Sequence, residues 1–404
     1  MASIKPEQLD FLNWEFGVFF HFGIRTFYEG HSDWDGREMA LSAFDPAELD
    51  CAEWIEVARD AGAKYAVLVC KHHDGFANWP SACTDYSVKN TPWRNGRGDV
   101  VRDFTDACRR YGVKIGLYYS PAQFGSVQMD SKAYDDYFIR QIRELLTGYG
   151  QIDYLWFDGC GSEGHQYDTA RIVSEIRACQ PHILLFNMWD PDTRWVGNES
   201  GVAHSPNRLM VGEVDFSIRK KGSDPLDRMR FLPAECDCRM RETNWFFSET
   251  DTHTVKSLDE LMGLYYLSVG RGANLLLNIG PDRRGRLPTA DKAALLAFGQ
   301  TIRAQFAHPL GCTVTAEERT LTLEMQPQLV NHVVLSEEIS TEEIEAFEIR
   351  ACPHPYGAPI TVYRGTTIGH KAICAFPTTR TGKLEICFDK SRRISAEAHY
   401  IRRY

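Results

Sequence analysis

No stretch of the 404 residues approaches the ~18 consecutive apolar residues that a membrane-spanning helix needs, so a spanning segment is not expected. Residues 1–15 hold no basic region followed by a long apolar core, and the apolar run 16–22 is too short for a secretion signal. The chain as given is therefore expected in the cytoplasm, or as a mature form whose signal has been removed. Basic residues are the minority: 45 Lys and Arg against 55 Asp and Glu give a net charge of −10. That balance argues against a nucleic-acid or anionic-membrane partner. The twelve cysteines lack the spacing of a disulfide framework. Cys70, Cys108 and Cys179 occupy positions expected to be buried, which suits free thiols in a reducing compartment. Cys236 and Cys238 form one C-x-C with no second pair, so a structural zinc site is not expected. Internal repeats and low-complexity tracts are missing as well.

What is present is an alternation of short apolar runs with amphipathic segments. The runs fall at 16–20, 65–69, 115–119, 154–157, 183–186 and 274–279. Between them, Val100, Val101, Phe104, Ala107, Cys108 and Tyr111 share one helical stripe, opened by Asp99 as a cap and closed by Gly112. Residues 134–149 and 169–179 behave similarly, and Ser257-Leu258-Asp259-Glu260 is a capping box. Strand and helix alternating this often predict a parallel α/β sheet. With no Gly-x-Gly-x-x-Gly turn after the first strand, a (β/α) barrel is expected in place of a dinucleotide-binding fold. The periodicity fades over 189–244, which is read as long loops at the barrel mouth around weak strands such as 208–214, so the TIM-like barrel is expected to be irregular and incomplete. Beyond 306–311 the texture becomes short alternating strands at 313–315, 320–325, 330–335, 344–349, 360–363 and 384–388. These predict a C-terminal antiparallel β-sandwich, with the catalytic barrel over 1–307 and the sandwich over 308–404.

In a barrel, groups at the C-terminal ends of the strands face the active site. That rule selects His21, then His72, His73 and Asp74, then Tyr119 and Ser120, then Asp158, then residues 187–189. Asp158 ends an apolar strand with Gly159 beyond it, and a carboxylate so placed is better aimed into a cleft than lost in a core. Helix capping or pairing with an Arg is the plainer alternative for it alone. Three histidines and an aspartate suit either a metal-dependent hydrolase or glycoside hydrolysis by two carboxyl groups. The second is favoured. First-strand metal ligands are expected as a His-x-His pair, whereas His21 stands between Phe20 and Phe22, and Trp79, Trp156 and Trp189 add the indole faces that a sugar uses.

Lys71-His72-His73-Asp74-Gly75-Phe76, followed by Trp79-Pro80-Ser81, Thr84-Asp85-Tyr86-Ser87-Val88 and Gly98-Asp99-Val100-Val101, resembles the signature of the α-L-fucosidase family of glycoside hydrolases. Gly17-Val18-Phe19-Phe20-His21-Phe22-Gly23, Leu155-Trp156-Phe157-Asp158-Gly159, Ser268-Val269-Gly270-Arg271 and Gly365-Thr366-Thr367-Ile368-Gly369 are similar to it too, so the likeness runs over nearly the whole chain. The resemblance implies a retaining exo-fucosidase that hydrolyses terminal α-linked L-fucose from glycans through a covalent fucosyl-Asp intermediate, without metal or organic cofactor. It makes Asp158 the nucleophile, gives His21, His72 and His73 to the fucose hydroxyls, puts Trp79 and Trp156 on its apolar face, and completes the pocket with Tyr119 and Arg241. A first-loop segment adds Trp34 and Glu38 as sugar contacts. Trp195-Val196-Gly197-Asn198-Glu199-Ser200-Gly201 resembles the acid/base segment of the subfamily preferring α-1,3 and α-1,4 linkages, which points to Glu199; Glu235 competes, and Glu213 stands third. The chain departs from the family pattern at Ala122-Gln123-Phe124 and over 239–245. The implied partner is a fucosylated oligosaccharide or glycoconjugate, with the oligomeric state left open. A catalytically silent fucose-binding protein and a metal-dependent hydrolase are the alternatives.

Overall fold

The structure, a computed structural model, describes residues 4–30, 32, 35–122 and 129–402. Helix α1 (Pro6–Trp14) precedes strand β1 (Phe16–Phe20). Four helix and strand pairs follow: α2 (Cys51–Ala61) with β2 (Tyr65–Lys71), α3 (Val100–Tyr111) with β3 (Lys114–Tyr119), α4 (Ser131–Gly148) with β4 (Tyr154–Phe157), and α5 (Thr169–Cys179) with β5 (Leu184–Phe186). Strand β6 (Arg194–Trp195) comes next, then an antiparallel hairpin of β7 (Met210–Val214) and β8 (Asp224–Phe231). Strand β9 (Ala234–Arg239), helix α6 (Leu258–Leu267), strand β10 (Asn274–Ile279) and helix α7 (Thr289–Phe306) complete this half.

The helices begin and end where local chemistry dictates. Asp50, Asp99, Asp130 and Asp168 each accept the backbone N–H three residues on, capping α2 to α5, and Ser257 does the same for α6. Gly62 and Gly112 close α2 and α3 in the left-handed conformation.

Eight parallel strands lie in the order β5, β4, β3, β2, β1, β10, β9, β6. A parallel bridge between Phe186 and Thr193 brings β5 against the start of β6, and Asn187 N donates to Thr193 O at 3.0 Å, so the sheet nearly closes on itself as a barrel. Its interior is aromatic where branched aliphatics are usual: Phe19, Tyr65, Tyr118, Tyr154, Trp156, Phe186 and Trp195 all point inward. Helix α1 supplies the plug at the N-terminal end, with Phe11 against Tyr154 and Tyr65 at ring separations of 5.3 and 6.1 Å. Gly17 is required by this packing, because a Cβ there would stand 2.5 Å from the Tyr65 ring.

The stretch expected as mouth loops is the main departure. It contains two barrel strands, β6 and β9, while the expected strand near 208–214 forms a hairpin outside the barrel. Strand β9 escapes an apolar-run reading because its inward positions are Glu235, Asp237 and Arg239.

The C-terminal region is an antiparallel sheet of β11 (Thr313–Ala316), β12 (Thr320–Glu337), β13 (Phe347–Pro353), β14 (Ile360–Gly365), β15 (Ala372–Phe388) and β16 (Ile394–His399). The segments 320–325 and 330–335 are one long strand interrupted by bulges, the first of which takes in Pro327. A bulge is where a strand tolerates a missing N–H donor. The sheet encloses an apolar cluster that includes Leu323, Val333, Ile349, Leu384 and Ile386. It is stitched to the barrel by Ile373 N to Gly270 O at 3.0 Å, by the Arg271 to Ala372 bridge, and by Asn207 N to Thr367 Oγ1 at 3.2 Å.

Candidate active site

Period-two alternation along β4 sends Tyr154 and Trp156 inward, and Leu155 and Phe157 outward against the helices. Asp158 therefore leaves the strand on the inward side, at the floor of a cavity of about 450 Å³. Its Oδ1 accepts the Cys160 N–H at 2.8 Å, and its Oδ2 accepts the Tyr118 hydroxyl at 2.7 Å with His73 Nε2 3.4 Å away. Burial alone would raise the carboxyl's proton affinity. The charge and hydrogen bond of His73, with the donors from Cys160 and Tyr118, overcome burial and hold Asp158 below the ordinary carboxylate range. Gly159 is equally constrained: a Cβ there would meet the Phe216 carbonyl oxygen at 2.1 Å, because the segment after β7 lies directly over this turn.

The expected histidines gather around the same cavity. The Asn278 amide donates through Nδ2 to Trp245 O at 2.7 Å, which turns its Oδ1 toward His21 Nδ1, also at 2.7 Å. His21 thus carries its proton on Nδ1 and offers Nε2 as an acceptor. Burial pushes its pKa down to about 3, so the ring is neutral at working pH. His72 stacks on Tyr118 with ring centroids 5.6 Å apart, and His73 Nδ1 meets Ser120 Oγ at 2.6 Å. Among the described residues, His72, His73 and Asp158 also present potential ligand atoms within 4.8 Å of one another, which keeps a metal-binding reading testable.

Strand β9 carries a device that the sequence does not advertise. Two successive inward carboxyl groups each accept an indole N–H: Glu235 Oε1 from Trp156 Nε1 at 2.8 Å, and Asp237 Oδ1 from Trp195 Nε1 at 2.7 Å. Glu235 also accepts the Tyr65 and Tyr154 hydroxyls, at 2.6 and 3.3 Å. It lies in the barrel interior beneath Trp156, outside the cavity lining, whereas Asp237 and Arg239 line the cavity together with Glu199. Glu213 is exposed on the hairpin.

Burial raises the Glu235 carboxyl to about 7, even though its hydrogen bonds work against the shift. The folded chain then holds a proton that an unfolded carboxyl, near 4.5, has released. Its stabilising contribution is complete below the unfolded value and is lost as pH rises through about 7. The melting temperature of the wild type relative to Glu235→Gln should accordingly fall between about pH 4.5 and 7, followed by calorimetry. A difference that stays constant over that window would show an unshifted carboxyl.

Four expected sugar contacts lie elsewhere. Trp79 is buried in the layer between barrel and helices, its indole N–H given to Glu144 Oε2 of α4 at 2.8 Å. Tyr119 points outward and donates to Gln141 Oε1 at 2.6 Å, while its neighbour Tyr118 faces the cavity. Arg241 is buried between two carboxylates, with Nη2 2.9 Å from Asp291 Oδ2 and Nη1 3.2 Å from Asp251 Oδ1, and Arg239 occupies the cavity wall instead. Glu38 is exposed and does not line the cavity. Trp34, like the divergent Gln123 and Phe124, falls outside the described residues. Asp237, Arg239, Tyr118 and Trp195 are among the cavity residues that sequence reasoning missed. The signal available for Asp237 was the alternation Glu235, Asp237, Arg239 itself.

Comparison with known proteins places this geometry. A family model described as Alpha-L-fucosidase matches residues 3–305. α-L-Fucosidase 1 of Arabidopsis thaliana is 35% identical over 313 aligned positions, covering 74% of this chain and 60% of that protein, so the match spans less than two thirds of its length. A provisionally named α-L-fucosidase 1 of Oryza sativa subsp. japonica is 32% identical over 95% of this chain and 82% of its own. Among solved structures, a provisionally named α-L-fucosidase from Bacteroides ovatus superposes with a TM-score of 0.88 at 34% identity, covering 99% of this chain and 74% of that one.

Proposed function

The chain belongs to the α-L-fucosidase family of glycoside hydrolases, and from that premise we propose that it is a retaining exo-α-L-fucosidase acting on fucosylated glycans, with a preference for α-1,3 and α-1,4 linkages. The observation that carries the reading is Asp158, hydrogen-bonded by the Cys160 N–H and the Tyr118 hydroxyl, in the cavity that Glu199 also lines.

In the first step a carboxylate oxygen of Asp158 bonds to the anomeric carbon while the glycosidic C–O bond breaks, and Glu199 gives its proton to the departing oxygen. In the second, Glu199 takes a proton from water, whose oxygen displaces Asp158 and restores the original anomeric configuration. The donors already bound to Asp158 stabilise it as an anion before attack and again as it leaves. His21, neutral and held by Asn278, can accept a sugar hydroxyl. The Trp156 indole, fixed by Glu235 and stacked between Tyr118 and Phe186, offers an apolar edge to the methyl side of the ring.

The test is a panel of α-1,2, α-1,3, α-1,4 and α-1,6 fucosyl oligosaccharides, each with and without a chelator. Free L-fucose should appear first as the α-anomer, fastest from the α-1,3 and α-1,4 substrates and unchanged by chelation. No release from any linkage, with fucose still bound, would mark a silent binding protein. Loss on chelation that zinc restores would favour the metal reading.

A further inference from the structure

Among the described residues, two carboxyl groups besides Asp158 line the cavity: Glu199 and Asp237. We infer that Asp237 is the proton-sharing partner of Glu199, a positioning residue that keeps the acid/base carboxyl loaded until the leaving oxygen takes the proton. The inference rests on the reading of Glu199 given above.

A backbone bridge and a side-chain hydrogen bond bring the two segments together. The turn carrying Glu199 is pinned to β9: Gly201 N donates to Asp237 O at 3.1 Å, and Ser200 bridges Cys238. Gly201 allows the approach, since a Cβ there would stand 2.7 Å from Cys238 Sγ. Trp195, four residues before Glu199, donates its indole N–H to Asp237 Oδ1 at 2.7 Å, so both members of the pair are anchored through the same segment. Asp237 itself is buried, and its carboxyl is driven upward first by burial and next by the charge of Glu199.

A pair of neighbouring acids of which one, Asp237, is buried resists losing its last proton, because the second ionisation places two negative charges near each other. One proton shared between Glu199 and Asp237 meets the requirement of the first step. Glu199 passes it to the leaving oxygen, the pair becomes doubly charged, and that charge favours recovering a proton from water in the second step. No further reactant is consumed.

The other titratable and charged groups around the pair are few. Asp158 and Arg239 share the cavity, and Cys160 on the loop after β4 interacts with Glu199, Arg219 and Glu163. Glu235 lies two residues earlier on β9, Cys236 and Cys238 flank Asp237, and Tyr154 approaches from β4. Of these, Arg239 and Arg219 carry positive charge.

The experiment compares Asp237→Asn and Trp195→Phe with the wild type on two aryl α-L-fucosides, one with a good leaving group and one with a poor one. Asparagine keeps an acceptor for the Trp195 indole and removes the shared proton. The basic limb of its kcat/KM profile should move to lower pH by about one unit or more, with a loss of roughly tenfold or greater on the poor leaving group and little on the good one. Trp195→Phe withdraws the donor that favours the Asp237 anion, so its basic limb should move the opposite way. An unmoved limb in both variants, or equal losses on the two substrates, overturns the inference and leaves a purely structural role. Calorimetry of each variant separates loss of fold from loss of coupling. A wild type that releases no fucose would bring down the underlying reading of Glu199 instead.

Discussion

Asp158→Asn should all but abolish turnover of an aryl α-L-fucoside, lowering kcat/KM by roughly three to six orders of magnitude, as removal of a nucleophile does elsewhere. The amide nearly matches the carboxylate in shape and still accepts from the Cys160 N–H or the Tyr118 hydroxyl. It cannot form the fucosyl ester. The neutral isostere relieves the desolvation cost of the Asp158 charge and gives up the His73 attraction that outweighs it, so the melting temperature should fall only slightly. Folded protein without turnover is the expected pair of results. Near-normal activity would end the assignment of Asp158, since it is the carboxyl that accepts the Tyr118 hydroxyl and lies 3.4 Å from His73 Nε2.

Glu199→Ala should show the second large effect, and its size should depend on the substrate. On a fucoside with a poor leaving group the loss should be about 10²- to 10⁴-fold, the usual worth of a positioned proton donor. With an activated leaving group the first step needs little acid, and the fucosyl intermediate accumulates because water is no longer deprotonated. Azide needs no general base, so it should attack the ester at the anomeric carbon, release Asp158 and restore the rate with fucosyl azide as product. A variant that azide leaves silent would point back to Glu235. The structure sets Glu235 beneath Trp156, with both oxygens occupied by Tyr65, Tyr154 and Trp156, a place from which it holds a ring in position.

How much of this could be read from the chain alone depended on how each strand meets its neighbours. Strands β1 to β5 and β10 are apolar on both faces, so their runs stood out, and the strand-end rule then delivered His21, His72, His73 and Asp158 together. Strand β6 has two residues and β9 alternates carboxyl groups with cysteines, so neither produces such a run. Tyr119 is expected at the cavity, yet Tyr118 is the residue that lines it, because a one-residue slip on a strand exchanges the two faces. Trp79 and Arg241 lie beyond strand ends, where no periodicity reports direction, and each found a carboxylate on a packing helix: Glu144 on α4, Asp291 on α7. In the C-terminal half, bulges cut the alternation of β12 into pieces that looked like separate strands.

Between β5 and β6 the described residues form a tight turn with no covering helix, joined by one bridge, and the Glu199 turn begins just past it. Asp158 instead stands on a strand gripped on both sides, by β3 and by β5. The two proposed halves of the reaction are thus mounted on different supports, Asp158 between two neighbouring strands and Glu199 on a turn held from the β9 side. Insertions or deletions in the short connection between β5 and β6 can retune which sugar is accepted as the departing group while the attacking carboxylate keeps its aim, so diversification of linkage need not put the chemistry at risk.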